Sequence, residues 1–148
     1  MKSFQTDYQM GVMNERVVYE PLKEFFKTDL KPTLDMYSKY DFYDENTTYE
    51  LKTRDCKLNS FSTTLIAEDK IIPTNKRQYF IFNFHDAIAC IKYDKEAFKN
   101  YKVGLYKRNR RDDFTDNLKN HIYIPVGDLT IIQRKPRRCM INVSELSY

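Results

Sequence analysis

The stretch Gln78-Tyr79-Phe80-Ile81-Phe82-Asn83-Phe84 limits what this chain can become more than any other part of it. It is almost wholly apolar and aromatic, of strand length, and far too short to cross a bilayer. Such a run is expected to be a buried strand, and a buried strand needs a sheet around it and further layers to cover it.

The rest of the chain can supply those layers. Met10 to Lys27 reads as a helix, because Val17, Val18, Leu22, Phe25 and Phe26 recur at helical spacing between charges. Pro21 predicts a kink or break near Glu20. Thr33 to Tyr43 reads as a strand, Asp44-Glu45-Asn46-Thr47 as a turn, and Thr48 to Arg54 as a second strand. Ser62 to Ile72 is expected to be a helix with Thr63 or Thr64 near its N-cap, closed by Pro73 and Asn75. After the apolar run, His85-Asp86 is a turn and Ile88 to Tyr93 returns as a strand. Asp94 to Tyr101 suggests a short helix, and Val103 to Lys107 and His121 to Val126 suggest two more strands around a charged loop. The order predicts an α/β (α+β) fold, a mixed β-sheet flanked by helices, in a single domain over residues 1–148.

Composition narrows the function classes. No apolar run reaches membrane length and Met1 to Gly11 lacks a signal-peptide core, so an intracellular protein without a membrane partner is expected. Cys56, Cys90 and Cys139 are scattered and form no Cys-x-x-Cys pair; with only two histidines, a zinc site is not expected, and the thiols read as reduced and mostly buried. His85 and His121 read as structural or surface residues. The net charge of +4 is modest, but the cations cluster. Lys107, Arg108, Arg110 and Arg111 form one group, and Arg134, Lys135, Arg137 and Arg138 another. Such groups neutralise phosphates, or else simply solvate a surface.

The chemistry concentrates in the expected hairpin. Side chains alternate along a strand, so Glu50, Lys52 and Arg54 share one face, and Tyr49, Leu51 and Thr53 the other. A two- or four-residue loop sets Tyr43 opposite Thr48 and Asp41 opposite Glu50. Two facing carboxylates repel unless something positive lies between them, and a divalent cation bound through oxygen does this well. Lys52 then lies one step along the same face, in reach of an attacked phosphate. The plain alternative is a solvent-facing edge with paired charges. Asp44 is more simply a turn former.

The segment from Tyr40 through Asp41 and on to Glu50-Leu51-Lys52 resembles the Asp…Glu-x-Lys signature of the PD-(D/E)XK nuclease superfamily, including small nuclease-like proteins of phages and large DNA viruses. The proline of that signature is absent, since Tyr40 precedes Asp41. The resemblance implies a restriction-endonuclease-like core of helix, three strands, helix and strand over about Met10 to Phe84, with extra C-terminal strands. It implies a nuclease that hydrolyses nucleic-acid phosphodiesters, DNA rather than RNA, with Mg²⁺ or Mn²⁺. Asp41, Glu50 and the Leu51 carbonyl would be metal ligands, with Lys52 catalytic and Glu15 on the first helix as a further acid. Arg54, Thr64 and Lys70 would lie near the nucleic-acid backbone, with Arg110, Arg111, Arg137 and Arg138 flanking it. A homodimer fits duplex or junction cutting. A viral origin would put the protein in the cytoplasm or nucleus of an infected cell, or in the virion. The competing expectations are an inactive nucleic-acid-binding or virion structural protein on the same fold, and an endoribonuclease.

Overall fold

A computed structural model describes residues 4–34, 38–106 and 119–136, with side chains of the first helix described from Glu15 onward. The chain runs through α1 (Phe4–Phe26), β1 (Lys31–Pro32), β2 (Phe42–Tyr43), β3 (Thr47–Thr53), β4 (Thr63–Ala67), β5 (Arg77–Asn83), β6 (Ala87–Lys92), α2 (Lys95–Phe98), β7 (Lys102–Tyr106), β8 (Lys119–Pro125) and β9 (Thr130–Arg134).

Six strands form one mixed sheet in the order β1-β2-β3-β5-β6-β9, and three form a second sheet in the order β4-β8-β7. β3 and β5 are parallel, in register from Thr47 against Arg77 to Thr53 against Asn83; among the described residues every other pairing is antiparallel. The apolar run is β5, and Phe80, Ile81 and Phe82 have no exposed surface. Ile81 faces α1, where it meets Val18 and Leu22 together with Tyr49 and Ile88. Phe80 and Phe82 face the other way, onto Ile66, Ile122 and Ile124 of the second sheet and Phe98 of α2. The expected α/β class is therefore present, a mixed sheet with a helix on either side.

Three local expectations are corrected. Ser62 to Ile72 is not a helix: it forms β4 and a 3-10 turn at Glu68–Lys70. Burial in β4 alternates, with Thr64 and Ile66 inward and opposite Ile124 and Ile122. The β-branched Thr63, Thr64 and Ile66 suit a strand, and pairing with β8 overrides the capping signals. The expected second helix of the core is thus replaced by a strand in another sheet.

The strand expected over Thr33 to Tyr43 contracts to Phe42–Tyr43, which pairs with Lys31–Pro32; residues 35–37 lie outside the described residues. Pro32 has no N–H to give a ladder, which suits its place on the edge strand. The helix does not break near Glu20 but continues through Pro21. Val18 and Leu22 on either side of the proline are fully buried on the sheet, and Val17, whose carbonyl loses its partner, is 55% exposed. Among the described residues no helix is long and apolar enough to cross a membrane.

Deleting a ring from the central strand should show which layer carries the fold. Phe80→Ala should cost about 3–5 kcal/mol of stability, while Phe61→Ala, at an exposed ring, should stay within about 0.5 kcal/mol of the parent. Urea unfolding followed by circular dichroism measures both; equal effects would mean that β5 is not the buried centre.

Candidate active site

Asp44 builds the turn that carries the site. Its carboxylate accepts from the Asn46 N–H at 2.9 Å, the Tyr49 hydroxyl at 2.8 Å and the Thr28 hydroxyl at 3.0 Å. Burial pulls its proton affinity up, but these donations, with that from the Thr47 backbone, outweigh it and hold the carboxyl below its ordinary range. One side chain therefore closes the hairpin and ties it to the end of α1, which confirms Asp44 as a turn former.

The hairpin register is the expected one through Tyr43 opposite Thr48 and Phe42 opposite Tyr49. It then slips. The Asp41 N–H donates to the Tyr49 carbonyl at 2.8 Å, so Asp41 does not sit squarely against Glu50. Its side chain instead accepts from the Leu51 N–H at 2.7 Å, filling the place on β3 that a longer β2 would have taken. A residue's N–H and C=O point the same way across a strand, so the Leu51 carbonyl faces this edge too.

Glu50 lies on the opposite face of β3 from Tyr49 and is only 6% exposed. One of its oxygens is 3.2 Å from the Lys52 ammonium and 3.4 Å from that of Lys70. Lys70 is delivered by the turn after β4, whose Lys70 carbonyl is held by the Gln78 side-chain amide at 2.8 Å. Glu15 reaches the group from α1 and shares a hydrogen bond with Asp41. The structure thus brings together Glu15, Asp41, Glu50 and Lys52, and adds Lys70 at the centre rather than at the periphery.

The electrostatics are those of crowded, half-dry acids. Burial lifts Asp41 to about 6; the Leu51 N–H opposes this, and the Glu15 charge reinforces it. Glu50 is raised by burial and by Asp41, against the pull of Lys52 and Lys70. Glu15 is raised by burial and by Glu50, against its bond to Asp41. Lys52 is lowered by burial, with Glu50 opposing and Lys70 and Arg54 adding to it. Three carboxylates short of positive charge suit a hard, oxygen-seeking cation. Even so, no group of three or more His, Cys, Asp or Glu side chains among the described residues is gathered as a ready metal cage. Glu50 is turned to its two lysines and Asp41 to the β3 backbone.

Arg54 and Thr64 serve the walls. Arg54 Nε donates to the Thr64 hydroxyl at 3.2 Å, its guanidinium also donates to the Leu65 carbonyl, and it lies over the Phe82 ring. These contacts bridge the two sheets. Next to them opens a cleft of about 820 Å³ between the end of β3, the loop after it, β4 and the start of β8. Lys39, Lys52, Arg54, Lys57, Lys70 and Lys119 line it, against Asp55 and Asp69. Lys39, Lys57 and Lys119 carry no sequence signal, because segments far apart in the chain bring them to one place. Arg110, Arg111, Arg137 and Arg138 lie outside the described residues. Of the second cluster, Lys135 is described, and it donates to Asn83 and to the Phe84 carbonyl. His85 pairs with exposed Asp55 at 2.7 Å, and His121 is buried in β8.

No family model matches this chain, and neither does any curated protein or any solved structure.

A raised carboxylate proton affinity has a definite sign in the stability curve. Between the ordinary aspartate value of 3.8 and about 6, the folded chain keeps a proton on Asp41 that the unfolded chain has released. Asp41 therefore lowers stability as pH rises through that window, and the loss is complete above it. Asp41→Asn should gain over the parent across the same window, reaching about 2–3 kcal/mol by neutral pH. Urea unfolding across the window measures this; a variant-minus-parent difference independent of pH would rule Asp41 out as the proton holder.

Proposed function

We propose that this chain is a metal-dependent nuclease acting on nucleic-acid phosphodiester bonds. The observation that carries the reading is the meeting of Glu15, Asp41, Glu50 and Lys52 at the edge of β3, beside a cleft whose charged lining is predominantly cationic. Asp41, Glu50 and the Leu51 carbonyl are the oxygens that would hold Mg²⁺ or Mn²⁺, with Glu15 as an additional acid. When bound, such an ion neutralises the carboxylates, polarises a phosphate and makes water easier to deprotonate.

The protein's own groups do the rest. Lys52 stands beside Glu50 and opens on the cleft, so its ammonium can donate to a phosphate oxygen. Lys70 offers a second ammonium to the same place. Asp41 is fixed by the Leu51 N–H, which holds its second oxygen in a set direction. The cations along the cleft draw in a phosphate backbone without reading its sequence. The likeness of the hairpin to PD-(D/E)XK enzymes favours DNA as substrate.

A second reading has its own observation. Glu50 is satisfied by two lysines as it stands, which suits a nucleic-acid-binding or virion structural protein that has no catalysis.

Cleavage and metal binding separate the two. Titration with Mn²⁺ by calorimetry should show binding that Asp41→Ala weakens. Lys52→Ala should lose about 100-fold or more of the cleavage rate on a panel of duplex, single-stranded and branched DNA and RNA, yet keep most of the metal affinity. Unchanged cleavage in Lys52→Ala rejects the assigned role; a parent that neither binds metal nor cleaves supports the second reading.

A further inference from the structure

We infer that the cleft between the two sheets binds a single strand of nucleic acid, with Phe61 as the ring on which a base stacks. Only the fate of the bound strand rests on the nuclease reading; the binding does not.

The first ground is size. At about 820 Å³ the cleft falls in the range of about 300–1,000 Å³ that encloses a small molecule or a short stretch of one chain. A space of that size holds one extended strand more readily than two paired ones. A single strand can enter and bring a phosphate to Lys52 and Lys70.

The second ground is the mixture of groups. Single-strand sites combine a cationic track for the backbone with aromatic rings for the bases. Here Lys39, Lys57 and Lys119 join Lys52 and Lys70 in the lining, with Lys119 held 3.3 Å from Asp69. Phe61 lines the same cleft and is 68% exposed, although Leu58, three residues earlier in the same loop, is buried. The loop thus spends one apolar side chain on the core and presents the next to the cleft. Tyr123 adds a second ring to the lining, over Gly104, where any larger residue would bring its Cβ to 3.3 Å from the ring.

The third ground is rigidity. Arg54 spans from β3 to β4 through Thr64 and Leu65, so the two walls are held at a fixed separation. The 3-10 turn before Phe61 is anchored by the Leu58 N–H donating to Asp86 at 2.8 Å. A preorganised track loses less on binding than a loose one.

The test is fluorescence anisotropy in the presence of a chelator, so that neither metal nor cleavage enters. The probes are labelled oligonucleotides of about 12 residues, within the ~4–16 nucleotides of known single-strand sites, as DNA, as RNA and as the DNA duplex. The single strands should bind at least ten-fold tighter than the duplex. Phe61→Ala should weaken single-strand binding about ten-fold, Phe61→Tyr should restore it, and the melting temperature of both should match the parent. Replacing Lys57 and Lys119 with alanine should make the logarithmic salt slope shallower by about 1.4. The ratio between the DNA and RNA strands tells which sugar the cleft accepts. Tighter binding of the duplex, or an unchanged affinity in Phe61→Ala, overturns the inference and leaves the nuclease reading standing. Single-strand binding without any cleavage once Mn²⁺ is restored removes the nuclease reading and leaves this one.

Discussion

The parallel pairing of β3 with β5 is the constraint on which the rest of the structure depends. β5 is apolar on both faces, so it needs a partner on each side and a layer above and below. Parallel strands cannot be joined by a tight turn, and the chain between them has to cross over one face of the sheet. Here the crossover contains β4, which founds the second sheet, and the turn bearing Lys70. The cleft is the space left between that crossover and the end of β3. Covering a hydrophobic strand has therefore also created a cationic groove next to the acids.

The same pairing explains why the acids are costly. Glu50 stands beside Phe80 and Lys52 beside Phe82, on the sheet face that packs the second core. An ionised carboxylate there loses its water and recovers only part of that loss from two ammonium groups. Among the described residues, the only groups that call for a charge at position 50 are the two lysines themselves, and the apolar layer beneath does not. Residues kept against the stability of the fold are those for which a site is the natural explanation. Asp44, by contrast, is a carboxylate with every bond it needs, and it acts purely as structure.

The legible parts of the sequence were those governed by local rules. The apolar β5, the hairpin after Asp44, the helix of Val18 and Leu22 and the short helix capped by Asp94 all follow from periodicity and turn chemistry. The face shared by Glu50 and Lys52 follows from strand alternation alone. What escaped was decided by partners remote in the chain. Thr63-Thr64-Leu65-Ile66 has helical caps but takes the conformation that β8 dictates. Asp41 slips from its place opposite Glu50 because the Leu51 N–H, left without a strand beside it, is the better partner. Lys70 looked peripheral because its distance from Glu50 depends on how the crossover folds back.

The separation of the paired strands also sets an order of events during synthesis. Thr47 pairs with Arg77, far along the chain, so the loop they close is non-local and carries an entropic cost. Glu50 and Lys52 leave the ribosome well before β5, the Lys70 turn and the β8 strand that seats β4. Until those arrive, the acids are hydrated, their proton affinities are ordinary, and no cleft exists around them. The chemistry of the site is thus withheld from the nascent chain and acquired only when most of the polypeptide has been made.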